Sequence, residues 1–314
     1  MHPVLRAQEA RAREVLGREV LAWVLDGAVP GEWDRCRLRP HVLRDVSEVS
    51  TATELFGTEL STPVLVGPTA FHDRMHAEGE TATARGAEDA GSLMVWSMRA
   101  SRPFEGTGWW QVYVLRDRSR TLDTVRWARD LGARALVLTG DTPYLGSARR
   151  SPLGDLDQSP DASLDDIGWL AAETGLPVLV KGVLRADDAR DCVAAGAAGL
   201  VVSNHGGRQL GRTVSTAAAL PEVVAAVDVP VLVDGGLQSG LDVLCALAAG
   251  ARAVLLGKPV LWALAAGGAE GVAACLRAVS DDLASVMGLA GVRSLAEIDG
   301  SLLTQRLGGT GPFG

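Results

Sequence analysis

Residues 177–207 read "PVLVKGVLRADDARDCVAAGAAGLVVSNHGG". A short β-branched run, "PVLVK", gives way to an alanine-rich stretch of helical spacing, "RADDARDCVAAG", and then to a second run, "LVVSN". Runs that are apolar throughout belong to strands buried on both faces, as in parallel sheets covered by helices. The glycine closing the middle stretch suits the position just beyond a helix C-cap. The unit is therefore strand, helix, strand, and polar residues stand where each run ends.

The same theme recurs on both sides. The runs are "PVLVG" (63–67), "LMVWS" (93–97), "WQVYV" (110–114), "ALVLT" (135–139), "PVLVK" (177–181), "LVVSN" (200–204), "PVLVD" (230–234) and "AVLLG" (253–257). Helix-like stretches such as "EGETATARGAEDAG", "LDTVRWARDLG", "TAAALPEVVAAV" and "GLDVLCALAAG" lie between them. Eight such units predict an α/β fold of the (β/α)8 barrel type, whose usual size is about 250 residues; an open doubly wound sheet is the second choice. One domain over 1–314 is expected: a cap across the barrel from 1–62 with an amphipathic helix, the barrel and C-terminal helices over 63–300, and a tail over 301–314. Residues 142–165, rich in Pro, Gly, Ser and Asp, form the one long connection without a period, the kind that makes lids.

Composition narrows the function. Thirty basic residues against thirty-eight acidic ones give a net charge of −8, so no partner of nucleic acid or anionic membrane is expected. The opening stretch is interrupted by charges, so no cleavable signal peptide is expected, and no apolar run reaches the ~20 residues a bilayer needs. Cys36, Cys192, Cys245 and Cys275 lie far apart among apolar neighbours and read as reduced thiols of a cytoplasmic protein. Lys181 and Lys258 are the only lysines.

In a barrel of this type, chemistry sits at the C-terminal ends of the strands. Those ends hold Thr69 and Ala70, Ser97, Gln111 with Tyr113, Thr139 with Asp141, Lys181, Ser203 with His205 and Arg208, Asp234, and Gly257 with Lys258. Both lysines and one of two tyrosines fall in this set. The glycine turns "DGGLQSG" (234–240), which contains Gly236, and "GKP" (257–259) suit a phosphate, since backbone N–H groups there can face an anion. Lys181 can stabilise a developing anion by roughly 4 kcal/mol at about 4 Å and an effective dielectric near 20; a Schiff base with a carbonyl substrate is the competing reading. His205 reads as a general base oriented by Asp141. His72 and His76 are four apart but lack a third ligand, so no metal is expected.

These residues resemble the FMN-dependent 2-hydroxy acid oxidases and dehydrogenases, the family of glycolate oxidase, lactate oxidase and mandelate dehydrogenase. The likeness rests on "WWQVY", "LTGDTPYLG", "LPVLVKGVL", "VVSNHGGRQL", "VPVLVDGG" and "GKPVLWALAAGG". The resemblance implies a cytoplasmic homotetrameric flavoprotein whose cofactor is FMN. His205 would take the proton of the substrate hydroxyl as hydride passes to flavin N5, with Asp141 holding its ring. Arg208 would grip the substrate carboxylate and Tyr113 would hydrogen-bond the substrate. Lys181, Gln111, Thr139, Ser97, Ser203, Thr69 and Ala70 would surround the flavin ring, Asp234 the ribityl chain, and Gly236, Gly257 and Lys258 the phosphate. The electron acceptor, oxygen or another, is left open.

The chain also departs from the family pattern. Trp23 in "WVLDGA" stands where a substrate-binding tyrosine is usual, and indole offers only one hydrogen-bond donor. Ser147 and Ala148 replace two arginines, with Arg149 one residue later. Gln238 replaces a phosphate-facing arginine, Lys258 another arginine and Gly211 an acidic residue, and the loop after the fourth strand is shorter. A charged hydrogen bond is worth about 1.5–3 kcal/mol, so losing a carboxylate arginine weakens a small hydroxy acid by about one to two decades, and these changes imply a bulkier, less acidic substrate bearing CH–OH or CH–NH beside a carbonyl. The alternatives are a barrel that binds flavin or another phosphorylated ligand without oxidising anything, a Lys181 Schiff-base lyase, and an FMN barrel acting on a diphosphate or nucleotide.

Overall fold

The structure, a computed structural model, describes residues 1–27, 32–144 and 157–304. Its centre is a parallel sheet of β3 (Val64–Val66), β4 (Val95–Ser97), β5 (Trp109–Val112), β6 (Leu136–Thr139), β7 (Val178–Val183), β8 (Gly199–Val202), β9 (Val231–Asp234) and β10 (Ala253–Leu256). The strands neighbour one another in the order β3-β10-β9-β8-β7-β6-β5-β4. Val66 closes the ring: its N–H donates to Leu93 O at 2.9 Å and it bridges Met94 in parallel. All eight apolar runs are strands, and the barrel prediction holds.

Side chains alternate across each strand, and this alternation builds the site. One inward layer is apolar: Leu65, Val95, Trp109, Val137, Leu179 and Val201, with Leu232 and Leu255, belong to a single buried cluster. Two residues further along the same inward faces stand Ser97, Gln111, Thr139, Lys181, Ser203 and Asp234. The outward residues pack beneath α3 (Gly79–Asp89), α4 (Arg118–Asp130), α5 (Asp165–Thr174), α6 (Ala186–Ala194), α7 (Thr216–Val224), α8 (Gly240–Ala248) and α9 (Lys258–Ala290). By length and composition α9 could cross a membrane, but it bends at Gly267 and Gly268 and packs against α3 and α8.

The segment before the barrel serves both of its ends. An antiparallel hairpin, β1 (Thr53–Leu55) and β2 (Thr58–Leu60), sends Leu55 and Leu60 into the apolar interior cluster. Its turn places Phe56 and Gly57 at φ 49° and 74°, the paired left-handed geometry of a type I′ hairpin. The Phe56 ring meets Trp109 edge-on at 5.5 Å. A side chain at Gly199 would come within 2.9 Å of Phe56 Cζ, which explains the glycine there.

At the opposite end, α1 (Pro3–Val15) packs along α9, and α2 (Arg18–Leu25) follows. The Trp33 indole N–H then donates to Gly235 O at 2.8 Å. The expectation of four reduced cysteines is corrected here: Cys36 and Cys245 form a disulfide with an S–S distance of 2.25 Å, whereas Cys192 and Cys275 are buried thiols. The two partners are 209 residues apart in sequence and meet because the cap folds back onto α8, a contact that sequence spacing does not display. The bond also removes the support that the thiols lent to a reducing compartment. Ser147, Ala148 and Arg149 and the end of the tail lie outside the described residues. Residues 300–302 are pinned by Arg39 N–H, which donates to Leu302 O at 2.7 Å.

Candidate active site

The strand ends surround a cavity of about 640 Å3 at the C-terminal mouth of the barrel. Thr69, Ala70, Ser97, Tyr113, Lys181, His205, Arg208, Asp234, Gly236, Gly257, Lys258 and Trp23, all expected at the site, line it. Gln111, Thr139, Ser203 and Asp141 stand behind this lining and hold it.

Lys181 is the centre of the deepest part. Its ammonium donates to Ser203 Oγ at 2.6 Å and pairs with Asp234 Oδ2 at 2.9 Å. Ser203 Oγ in turn donates to Asp234 Oδ2 at 3.0 Å. Burial pushes the Lys181 pKa down, but Asp234 and Asp141 outweigh it and the net shift is upward. An amine kept protonated is a fixed cation and not a nucleophile, so the geometry suits anion stabilisation better than Schiff-base chemistry. The second Asp234 oxygen, Oδ1, is buried without a hydrogen-bond partner. An unsatisfied buried carboxylate oxygen is costly, and it marks where a ligand hydroxyl fits.

Next to this group, Gln111 Nε2 donates to Thr139 Oγ1 at 2.9 Å, while Gln111 Oε1 accepts from Ser97 Oγ at 3.1 Å and Met98 N–H at 3.2 Å. The chain of bonds crosses β4, β5 and β6 and fixes the amide's orientation. Thr69 is held from the other side: its hydroxyl lies 2.6 Å from His72 Nε2, and His72 Nδ1 lies 2.8 Å from Thr83 Oγ1. His72 is fully buried, and burial drives its pKa down to about 4. Its neutral ring thus links the Thr69 and Thr83 hydroxyls.

The turn "NHGGR" explains itself in this setting. His205, Gly206 and Gly207 have φ of 54°, 62° and 68°. A left-handed histidine costs roughly 1–2 kcal/mol, and the two glycines avoid repeating that cost. The strain is held by His205 N–H donating to Ser203 Oγ at 3.1 Å and Arg208 N–H to His205 O at 3.1 Å. The result aims Nδ1 at Asp141, 3.1 Å from Oδ1 and 3.3 Å from Oδ2. Gly182 permits that approach, since a side chain there would lie 2.5 Å from Asp141 Cβ. Burial raises the Asp141 pKa, yet the bond to His205, its charge and Lys181 prevail and hold the carboxylate ionised below its usual range. An ionised Asp141 favours the Nδ1–H tautomer, in which Nε2 carries the lone pair.

Tyr113 faces the same space. Burial first, and then Asp141, push its phenol up to about 12, against the opposing charge of Arg99. It therefore remains a neutral hydrogen-bond donor at any ordinary pH.

The cap supplies the outer wall. Arg208 Nη1 donates to Trp23 O at 2.7 Å and Asp26 O at 2.9 Å, and its guanidinium carbon sits 4.9 Å from the Trp23 ring centroid. Lys258 donates to Gly27 O and, at 3.4 Å, to Leu25 O. These carbonyls end α2, where a helix carries partial negative charge. Trp23 thus meets Arg208 through a ring face and a carbonyl. Among the lining residues that escaped the sequence reading are Arg99 and Phe71; each lies within two residues of a strand-end position already singled out, and that proximity was the available signal.

The geometry defines a barrel mouth with a buried lysine–aspartate pair at its deep end, a histidine held by a carboxylate and a cationic outer rim. A family model described as FMN-dependent dehydrogenase matches residues 30–156 and 154–305. The chain is 40% identical to glycolate oxidase 1 of Zea mays over 308 residues, 85% of this chain and 84% of that protein. It is 38% identical to 4-hydroxymandelate oxidase of Amycolatopsis orientalis over 335 residues, 91% of this chain and 94% of that protein. Among solved structures, mandelate oxidase with (S)-2-phenylpropionate superposes with a TM-score of 0.89 at 39% identity, covering 97% of this chain and 98% of that one. Mandelate oxidase with (S)-4-hydroxymandelic acid gives 0.88 at 37% identity, covering 97% and 99%.

The chain belongs to the FMN-dependent dehydrogenase family. It is an FMN-dependent oxidoreductase of the 2-hydroxy acid oxidase type. The residues present fit that cofactor: the open Asp234 oxygen suits a polyol hydroxyl, the Lys181 ammonium an anionic ring edge, and the glycine turns with Lys258 a phosphate.

Proposed function

We propose that this enzyme oxidises the CH–OH of a 2-hydroxy acid larger than glycolate or lactate, with His205 as base. The observation that carries the reading is the His205–Asp141 pair, with His205 lining the same cavity as Lys181 and Arg208. Bound FMN supplies the two-electron acceptor. Arg208 binds the substrate carboxylate, Tyr113 donates to a substrate oxygen, and His205 Nε2 receives the hydroxyl proton while Asp141 stabilises the resulting imidazolium. Lys181 and Ser203 would hold the cofactor ring edge, Asp234 would take a ribityl hydroxyl through its open Oδ1, and Gly236, Gly257 and Lys258 would hold the phosphate. Ser97, Thr69 and Ala70 would border the ring, with Gln111, itself bonded to Thr139, fixing Ser97 from behind. The preference for a larger substrate is supported by the aromatic Trp23 and Phe71 walls, which meet edge-on at 6.3 Å.

Reoxidation by oxygen is supported by the names of the similar proteins, glycolate oxidase and 4-hydroxymandelate oxidase. Self-association is supported by Val42 and Leu43, which are 79% and 102% exposed; the tetramer is the stoichiometry that the family resemblance implies. Leu43 also has a φ of 56°, and a strained leucine projecting into water has a reason if a second copy covers it.

The test is an absorption spectrum of the FMN-loaded protein during anaerobic addition of small, aliphatic and aromatic 2-hydroxy and 2-amino acids. Bleaching by one of them, absent in His205→Ala, supports the reading. No bleaching by any, or turnover in which glycolate or lactate surpasses every bulkier acid, overturns it. Hydrogen peroxide formed in proportion to substrate on re-aeration tests oxygen as acceptor, and light scattering tests the tetramer.

A further inference from the structure

We propose that Trp33 is a cofactor-positioning residue: it stands outside the cavity and holds the Gly235–Gly236 peptide in place for the phosphate of FMN. This rests on the reading that the glycine turn after β9 takes that phosphate.

The turn "DGGLQSG" (234–240) contains no cationic side chain, so its hold on an anion comes from backbone N–H groups. Two of these are already taken by carboxylates: Gln238 N–H donates to Asp242 Oδ2 at 2.8 Å and Gly240 N–H to Asp282 Oδ2 at 2.6 Å. The Gly236 N–H has no hydrogen-bond partner among the described residues, and Gly236 lines the cavity. Its direction is set from behind. The buried Trp33, which does not line the cavity, donates its indole N–H to Gly235 O at 2.8 Å. In a planar trans peptide the carbonyl and the N–H point opposite ways, so fixing Gly235 O against Trp33 turns the Gly236 N–H away from it. Gly235 and Gly236, at φ of 88° and 79°, are residues free to leave these conformations, and the indole bond restrains the peptide between them. The Thr216 hydroxyl spends its proton on Asp234 O at 2.6 Å and lies 3.4 Å from Gly235 O, which leaves Trp33 as the near donor.

Trp33 is itself anchored on both sides. It belongs to a 3-10 turn, Glu32–Arg35. Just before it, the Glu32 carboxylate accepts from the hydroxyl of Ser215, the N-cap of α7. Just after the turn, Cys36 is bonded to Cys245 of α8. One short stretch of the cap thus grips the helix before β9, the turn after β9 and the helix that follows. The indole is held ready by an anionic and a covalent tie, and such preorganisation lets a single hydrogen bond count. Coupling between two sites is reciprocal, so a phosphate that settles in the turn must in exchange steady the cap.

The experiment compares FMN with riboflavin, which lacks the phosphate, by fluorescence titration of the full chain freed of flavin. Trp33→Phe is expected to weaken FMN roughly fivefold, the worth of about one neutral hydrogen bond, and to leave riboflavin within about twofold of wild type. A ratio of the two affinities that Trp33→Phe leaves unchanged, whether both flavins weaken alike or neither does, overturns the proposal. If Trp33→Phe does not fold, the wild-type protein decides. Saturating FMN is then expected to slow reduction of the Cys36–Cys245 disulfide by a dithiol about fivefold more than saturating riboflavin does, by the same coupling read from the other site. Alkylation of Cys36 and Cys245 follows that rate, and equal rates with the two flavins overturn the proposal. The phosphate reading fails separately, and takes the proposal with it, when wild type binds FMN no tighter than riboflavin; the cofactor reading fails when wild type binds neither.

Discussion

Lys181, Ser203 and Asp234 hold one another across three neighbouring strands, whereas Arg208 and Lys258, at the outer rim, are held by main-chain carbonyls of the cap. Both regions place cations around one cavity, but they do it with different kinds of support. The inner group is set by the barrel: its members point inward because the apolar residues two positions earlier do, and that layer is closed by the hairpin plug. The outer group depends on a segment from the other end of the chain, joined to the barrel by the Trp33 bond to Gly235 and the Cys36–Cys245 disulfide. Preorganisation favours catalysis where charge develops, and a separable cap suits a rim that must admit substrate.

If that division is right, changes at the inner region should cost most and act locally. His205→Gln should slow anaerobic flavin reduction by about 10²–10⁴-fold, the usual worth of a positioned base, while FMN remains bound. Stopped-flow reduction with the best substrate measures it, and a loss under about tenfold would remove His205 from the role of base. Lys181→Met should destabilise the apo-protein by about 3–5 kcal/mol, because Asp234 is left buried without its cation. Urea unfolding without FMN avoids cofactor linkage. The double variant Lys181→Met with Asp234→Asn should recover much of the loss; if it is as unstable as the single variant, charge pairing is not what holds this end together.

The inner region was also the more legible one. Eight two-sided apolar runs gave strands within two residues of their predicted limits, because burial on both faces leaves a continuous signal. The strand-end rule then located Lys181, His205, Tyr113 and Asp234. Depth was not legible: nothing in the sequence separates Ser97, which touches the cavity, from Gln111, which braces it from behind. Nor was the hairpin, since "TELFGTEL" has two three-residue strands with an exposed glutamate at the centre of each. The cap contacts were invisible for a different reason. Trp23 acts through its carbonyl and ring face, and Cys36 finds a partner 209 residues away; neither depends on local pattern. Arg99 sat two residues past Ser97, one short step beyond the positions that alternation points to.

His72 sharpens the comparison by pH. Its pKa falls from 6.5 to about 4 on folding, chiefly through burial, so between those values the unfolded chain binds the extra proton. Stability therefore rises with pH across that window, and acidification from 6.5 toward 4 removes on the order of 3 kcal/mol. His72→Gln should flatten the fall in unfolding free energy over this range relative to wild type. An unchanged slope would mean that another group carries the acid sensitivity, and that the Thr69 brace is not a titrating one.

The smallest effect should appear at the rim. Gly27 has a φ of 74°, and a side chain there would lie 2.4 Å from Gly206 O and 2.5 Å from Arg208 Cγ. Gly27→Ala therefore cannot be accommodated without moving the end of α2 off the histidine turn. The left-handed alanine and the displaced contacts together should cost about 1–2 kcal/mol, less than the inner changes because the barrel itself is untouched. The informative readout is where the molecule loosens: limited proteolysis should cut the cap faster while the barrel fragment stays resistant. Binding of a carboxylate should change with it, since the Trp23 and Asp26 carbonyls that now fix Arg208 would shift. Cleavage that accelerates equally in cap and barrel would mean the two regions unfold as one unit, and the distinction between a strand-held interior and a carbonyl-held rim would have no energetic content.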